Sequence, residues 1–260
     1  MSLFKIATWN VNSLRVRLPH VLAWLGEQQP TVLALQETKL PDTDFPIDEI
    51  KAVGYHVVFS GQRTYNGVAI LSKSEMTDVV TDIPTLTDPQ RRILAVTVDD
   101  VRILNLYVPN GESVTSEKYQ YKLSWLKQVD AYAQQELQKH RNMIVLGDFN
   151  IAPDDIDVHD PKAWEDSVLC SARERIAFQQ LLKHGFHDSF RELHSDEQLY
   201  SWWDYRLNAF KRNLGLRIDH ILASTELMSV CCASYIDQQP RALERPSDHA
   251  PVIAEFMIAR

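Results

Sequence analysis

The stretch Met143-Ile-Val-Leu-Gly-Asp-Phe-Asn150 constrains the fold of this chain more than any other. Met143 to Leu146 are all apolar and read as a short strand buried on both faces. Gly147 then frees the backbone for a sharp turn. Asp148 and Asn150 follow with one residue between them, a spacing that puts both side chains on the same side of an extended chain. A strand that runs out of the core and ends in a carboxylate and an amide brings polar chemistry to the rim of a sheet. Taken alone, such a pair only caps a strand end. Its weight comes from recurrence, because the same grammar is met at other strand ends along the chain.

The 260 residues, 45% of them hydrophobic, suffice for one large core. No apolar run reaches the length of a membrane span. The N-terminus has no basic stretch followed by an apolar one, so neither a membrane anchor nor a signal peptide is expected. Cys170, Cys231 and Cys232 have no metal-ligand spacing, and the two adjacent ones point to opposite faces of a strand. They are expected as small buried apolar residues in a reducing compartment. The net charge of −8 and pI near 5.6 do not point to a nucleic-acid binder, yet local charge is what counts. Arg206, Lys211, Arg212 and Arg217 form a basic stretch uninterrupted by acids.

In chain order, Leu3 to Trp9 reads as a strand ending in Asn10-Val-Asn12. Leu18, Val21, Leu22 and Leu25 recur at helical spacing, with Pro19 placed in a first turn. Val32 to Leu35 is a buried strand with Gln36-Glu37 at its end. Tyr55 to Ser60 and Gly67 to Ser72 form paired strands. Arg92 to Val98 and Val101 to Val108 flank a two-residue hairpin turn, Asp99-Asp100. Thr115 to His140 is the longest helix, and Ile151 to Trp164 an acidic loop. Ser171 with Glu174 has capping-box spacing, which predicts a helix over 172–184. Tyr200 to Tyr205, Leu216 to Leu222, Leu227 to Tyr235 and Val252 to Met257 are further strands. Meandering strands with a few helices, and no linker or repeat, predict one domain over 1–260. Its fold class is α/β (α+β): two mainly antiparallel sheets packed face to face, with helices outside.

The polar strand ends collect Asn10, Asn12, Glu37, Tyr107, Asp148, Asn150, Asp248 and His249. Asp219 lies within a strand among Ile218, Ile221 and Leu222, so its carboxylate must find a partner or a metal. His249 is the natural partner, since an Asp–His pair favours the imidazolium and suits it to developing negative charge. A set rich in carboxylates and amides, and free of cysteine, suits Mg²⁺ or Mn²⁺ rather than zinc.

Gln36-Glu-Thr-Lys39, Gly147-Asp-Phe-Asn150, Leu216-Arg-Ile-Asp219 and Ser247-Asp-His249 follow one another in the order found in the endonuclease/exonuclease/phosphatase superfamily. With Trp9-Asn-Val-Asn12, Gln90-Arg-Arg-Ile93, Tyr107-Val-Pro-Asn-Gly111, Ser201-Trp-Trp-Asp-Tyr205 and Arg245-Pro-Ser-Asp-His-Ala-Pro251, the chain resembles the bacterial exonuclease III family of abasic-site (AP) endonucleases along its whole length. The resemblance implies a four-layered α/β sandwich. It also implies a Mg²⁺-dependent DNA repair nuclease that cleaves 5′ to abasic sites, degrades duplex DNA from 3′ ends and removes 3′ blocking groups. Its partner would be double-stranded DNA and its location the bacterial cytoplasm, as a monomer.

By the same resemblance Glu37 is the main metal ligand, with Asn10 and Asp248 beside the metal. Tyr107 and Asn150 hold the scissile phosphate, Asp148 handles the proton of water or leaving oxygen, and the Asp219–His249 pair contacts the phosphate. Asn12, Arg91, Arg92, Asn110, Arg206 and Arg217 would meet phosphates or DNA. Trp202, Leu216 and Ile218 would form the pocket for a flipped-out abasic sugar. A superfamily phosphatase on inositol or lipid substrates, and an inactive DNA-binding module, are the alternatives. The Trp-rich segment weighs against the first, and the complete polar set against the second.

Overall fold

The computed structural model describes residues 1–259. The strands are β1 (Ser2–Asn10), β2 (Val32–Gln36), β3 (His56–Ser60), β4 (Val68–Ser72), β5 (Thr77–Val80), β6 (Ile93–Val98), β7 (Val101–Tyr107), β8 (Met143–Asp148), β9 (Phe186–Asp188), β10 (Trp202–Trp203), β11 (Gly215–Leu216), β12 (Asp219–Ser224), β13 (Cys231–Ile236) and β14 (Val252–Ile258). The helices are α1 (Leu14–Gln28), α2 (Ile47–Ala52), α3 (Glu117–Lys139), α4 (Ala172–Lys183), α5 (Ser189–Leu193) and α6 (Thr225–Met228).

Two six-stranded sheets, in the orders β13-β14-β1-β2-β4-β3 and β5-β6-β7-β8-β12-β9, pack face to face. Alternation along the strands accounts for the layers. Phe4, Ile6, Val32, Ala34 and Ile70 point inward from the first sheet, to meet Leu94, Ile103, Ile144, Leu146 and Ile221 from the second. Their neighbours point outward. Ala7, Trp9 and Leu33 pack under Val21, Trp24 and Leu25 of α1, while Leu104, Met143 and Val145 pack under Trp125, Val129 and Phe178 of α3 and α4. Burying each large aliphatic or aromatic side chain stabilises the fold by about 1.5–3 kcal/mol. The result is the expected four-layered sandwich.

Each sheet contains one parallel pair, β1–β2 in the first and β7–β8 in the second, and all other pairs within the two sheets are antiparallel. Parallel neighbours need a crossover, supplied by α1 and α3. In sheets of this kind ligands gather outside the carboxyl ends of parallel strands. Here those ends are Asn10, Gln36, Tyr107 and Asp148. Gln36 Nε2 donates to Asn105 Oδ1 at 2.7 Å, which ties the two parallel pairs together just below this rim.

The structure departs from several of the expectations above. Gly147 makes no turn: it lies inside β8 with φ +138°, where a Cβ would sit 1.9 Å from the Leu106 carbonyl oxygen. Its role is close approach of β8 to β7. Pro19 is inside α1, whose first residue is Leu14. Asp219 opens β12, and Leu227 belongs to α6 rather than a strand. Cys170 is buried, but Cys231 is half-buried and Cys232 exposed, and all three are free thiols. The hairpin turn holds as expected, with Asp99 and Asp100 both left-handed at φ 48° and 62°. The Ser171/Glu174 capping box is formed in full.

Candidate active site

Asn10 closes β1, Glu37 follows β2, Tyr107 closes β7 and Asp148 closes β8, so the two parallel pairs aim four polar side chains at one place. Three of the residues at this rim, Asn12, Glu37 and Asn150, have left-handed backbones with φ between 43° and 51°. Such conformations are uncommon outside glycine and persist only where the surroundings enforce them. From the second sheet β12 adds Asp219, and the segment before β14 adds His249.

The side chains form one network. Asn10 Nδ2 donates to Glu37 Oε1 (2.9 Å) and to Asp148 Oδ2 (2.8 Å). The Tyr107 hydroxyl donates to Glu37 Oε1 at 2.9 Å. Asn150 donates to Asp148 through its backbone N–H (2.9 Å) and its amide (3.2 Å). Asn110 Nδ2 donates to Asn150 Oδ1 at 3.2 Å. His249 Nδ1 donates to Asp219 Oδ2 at 2.9 Å, and its Nε2 lies 3.8 Å from Asp148 Oδ2. Ser201 Oγ completes the Asp219 carboxylate with a donor at 2.6 Å and accepts from the N–H groups of Ile218 and Asp219.

These contacts separate the protonation states. Burial pushes the Asp148 carboxyl up, the Asp219 and Glu37 carboxylates add to this, and the pKa stands at about 7 despite the opposing His249 charge. Burial works against the His249 imidazolium, but the carboxylates of Asp219 and Asp148 outweigh it and raise the pKa to about 10. Burial also opposes the Glu37 carboxylate, yet the Lys39 ammonium and the Asn10 amide hold it below the usual range. Tyr107 is held well above its ordinary value by burial and by Glu37 and Asp148, so it stays a phenol and a donor. The site thus holds a cationic imidazole, an ionised Glu37 and, in Asp148, a carboxyl that titrates near neutrality, the condition under which acid–base catalysis is most effective.

Glu37, Asp148 and His249 each offer a ligand atom within 4.8 Å of the others. Because His249 is cationic and the Asp148 carboxyl is raised toward neutrality, Glu37 is the ionised donor of the three that suits a hard divalent cation. Asp248 is outside this group: its Oδ1 accepts from Asn12 Nδ2 (2.9 Å) and its Oδ2 from Trp202 Nε1 (3.0 Å). A charged neighbour absent from the expected set is Lys39, whose Nζ lies 2.8 Å from Glu37 Oε2 and donates to Asn12 Oδ1 at 2.6 Å.

Above this floor is a cavity of about 300 Å³, lined by Tyr107, Asn110 and His249 on its polar side and by Trp202, Ile218 and Trp164 on its apolar side. Trp202 is half-buried at the wall while Trp203 is fully buried in the core, as alternation requires. Leu216 does not line the cavity. It pairs with Trp202 across β10–β11 and is fully buried behind the wall. Trp164, Val168 and Leu169 do line it, and they were not among the expected residues. They come from the loop after β8, and only their apolar character within an acidic segment could have marked them.

The expected DNA-facing cations divide. Arg206 is exposed beside Tyr205 and Leu207. Arg92 stacks on the Tyr107 ring, 4.5 Å from its centroid, and Arg91 bridges to Asp82 at 2.7 Å. Arg217 is a correction. It is buried to 1% exposure and bonded to Asp157 (2.7 Å) and Asp188 (2.8 Å), with no face left for DNA.

Architecture and site together define a metal-assisted phosphoesterase of the sandwich type, and comparison with known proteins agrees. The chain belongs to the Endonuclease/Exonuclease/phosphatase family, whose model matches residues 7–249. Within that family it stands with the exonuclease III-type DNA repair nucleases. Exodeoxyribonuclease III of Haemophilus influenzae is 38% identical over 97% of this chain and 99% of its own length. A 3′ phosphatase from Neisseria, solved with a product DNA hairpin, superimposes with a TM-score of 0.97 at 48% identity, covering 98% of this chain and 100% of that one. An AP endonuclease from Archaeoglobus fulgidus gives a TM-score of 0.95 at 41% identity, covering 98% of this chain and 100% of that one.

Proposed function

We propose that this nuclease is a Mg²⁺-dependent phosphodiesterase acting on double-stranded DNA, cleaving 5′ to abasic sites and processing 3′ ends, including removal of 3′ phosphates. It works as a monomer in the cytoplasm. The observation that carries the reading is the convergence of Glu37, Asp148 and the His249 imidazole beneath a cavity with one apolar wall.

A phosphodiester resists attack because it is anionic, and donors fixed around its oxygens lower that barrier. The His249 cation, the Tyr107 hydroxyl and the amides of Asn110 and Asn150 border the cavity and are the groups that would meet the phosphate. A divalent cation held by Glu37 would add charge neutralisation on the phosphoryl and leaving oxygens. Asp148, with a pKa of about 7, aligns water or moves its proton. An abasic nucleotide is already unstacked, so extruding it toward Trp202, Ile218 and Trp164 costs little. Exposed Arg206 and half-buried Arg91 and Arg92 would supply phosphate contacts that set position without reading sequence. A duplex with one abasic site and a duplex with a 3′ phosphate, run on one gel, test the reading. Mg²⁺-dependent conversion of both supports it, and conversion of neither overturns it.

A further inference from the structure

Lys122 on α3 and Glu174 on α4 have side chains that are completely buried. Lys122 Nζ donates to the carbonyl oxygens of Asn110 (3.1 Å) and Asn150 (2.7 Å), and to Glu174 Oε1. That uses all three ammonium protons. Glu174 in turn accepts from the backbone N–H of Leu169 (3.1 Å) through Oε1, and from Ser171 N (3.1 Å) and Oγ (2.5 Å) through Oε2.

The capping box explains the contacts of Glu174 with Ser171. It does not explain Lys122. Nor does stability require the pair, since replacing a buried ion pair with well-packed neutral groups is often neutral or stabilising. What the pair reaches is informative. The ammonium holds the carbonyls of Asn110, after β7, and Asn150, after β8, while Glu174 holds the N–H of Leu169 farther along the second loop, and all three residues line the cavity. Asn150 is left-handed at φ 49°, and the Lys122 bond holds its carbonyl inward while its amide faces Asp148 and the Val108 carbonyl. The Asn110 amide is then bonded to the Asn150 side chain at 3.2 Å.

We propose that Lys122, with Glu174 as its counter-ion, is a positioning residue that fixes the Asn110 and Asn150 amides and the Leu169 wall in the geometry that the reacting phosphate needs. This rests on the phosphodiesterase reading above. The group acts through the two asparagines, with no contact to substrate of its own. Misplacing such groups by about 1 Å typically costs on the order of 10²-fold in rate.

The test uses Lys122→Met combined with Glu174→Gln, whose one amide oxygen can still accept from Ser171 at the α4 cap and which leaves no buried charge. Glu174→Gln alone, which retains the ammonium, is the control. On a 3′-phosphate duplex the double variant is expected to lose roughly 10-fold or more in kcat with KM nearly unchanged, and the control to lose much less. In ¹⁵N-asparagine-labelled protein, the side-chain amide signals of Asn110 and Asn150 are expected to move in the double variant. A folded double variant with wild-type kcat and unmoved amide signals overturns the proposal. If that variant does not fold, hydrogen-bond scalar couplings between the Lys122 ammonium and the two carbonyl carbons in the unsubstituted protein decide, and their absence overturns it. The amide signals need no substrate. A wild-type protein that cleaves nothing would therefore defeat the phosphodiesterase reading while leaving the placement by Lys122 separately tested.

Discussion

Asp148 and Asp219 stand directly opposite each other on the antiparallel strands β8 and β12. Like charges in this register repel. The His249 imidazole offsets that repulsion, with Nδ1 2.9 Å from Asp219 and Nε2 3.8 Å from Asp148. Asp219→Asn should therefore release the imidazole. Its pKa is expected to fall from about 10 toward the ordinary 6.5, read by NMR titration of His249. Cleavage at neutral pH should drop about 10²-fold as the cation is lost. An unchanged His249 titration in Asp219→Asn would remove Asp219 as the source of the charge.

Asp148→Asn keeps the shape of the side chain and removes its proton chemistry. We expect cleavage to fall by roughly 10²–10⁴-fold while duplex affinity stays within a few-fold. Single-turnover cleavage and fluorescence anisotropy measure the two quantities separately. Near-wild-type turnover would contradict the assigned role.

Gly147→Ala tests the junction of β7 and β8. A Cβ there would sit 1.9 Å from the Leu106 oxygen, and φ +138° is strained for any other residue. Backbone strain and overpacking together should cost about 3 kcal/mol or more, seen as a lower urea midpoint. A variant as stable as wild type would mean that the strands can separate without penalty.

His220 predicts a pH dependence of stability. The Arg217 guanidinium only donates, so its contact with His220 Nδ1 at 3.1 Å requires the neutral ring, whose Nε2–H donates to the Ile151 carbonyl at 2.9 Å. Burial, with the Arg217 charge adding to it, lowers the pKa from 6.5 to about 4. The unfolded chain takes up this proton first as pH falls, so the contribution is present above about 6.5 and is lost as pH drops to about 4. The stability advantage of wild type over His220→Gln should shrink by about 3 kcal/mol across that window. A difference that stays constant with pH would rule out a neutral buried ring.

Much of the fold was legible because apolar runs of strand length ended abruptly in polar residues, as at Leu35-Gln36-Glu37 and Leu146-Gly147-Asp148. The same pattern gathered the rim of the site. Arg217 was misread because it closes a basic run, whereas its partners Asp157 and Asp188 stand 60 and 29 residues away. Burial of an ion pair is a tertiary event that local composition does not encode. Strand β5 escaped notice because it is a largely exposed edge with no apolar face, and β9 because three residues carry no periodicity. Lys39 and the Trp164–Leu169 wall went unassigned because their relation to Glu37 and to the cavity exists only once the loops are folded.

Cleavage requires a divalent cation held at Glu37, beside Asp148 and His249. The most direct test of this requirement is cleavage of a single abasic duplex by the wild-type protein in Mg²⁺ and in excess EDTA. Incision 5′ to the abasic site is expected with Mg²⁺, none with EDTA, and recovery when Mg²⁺ is restored. Undiminished incision in excess EDTA would contradict the metal requirement.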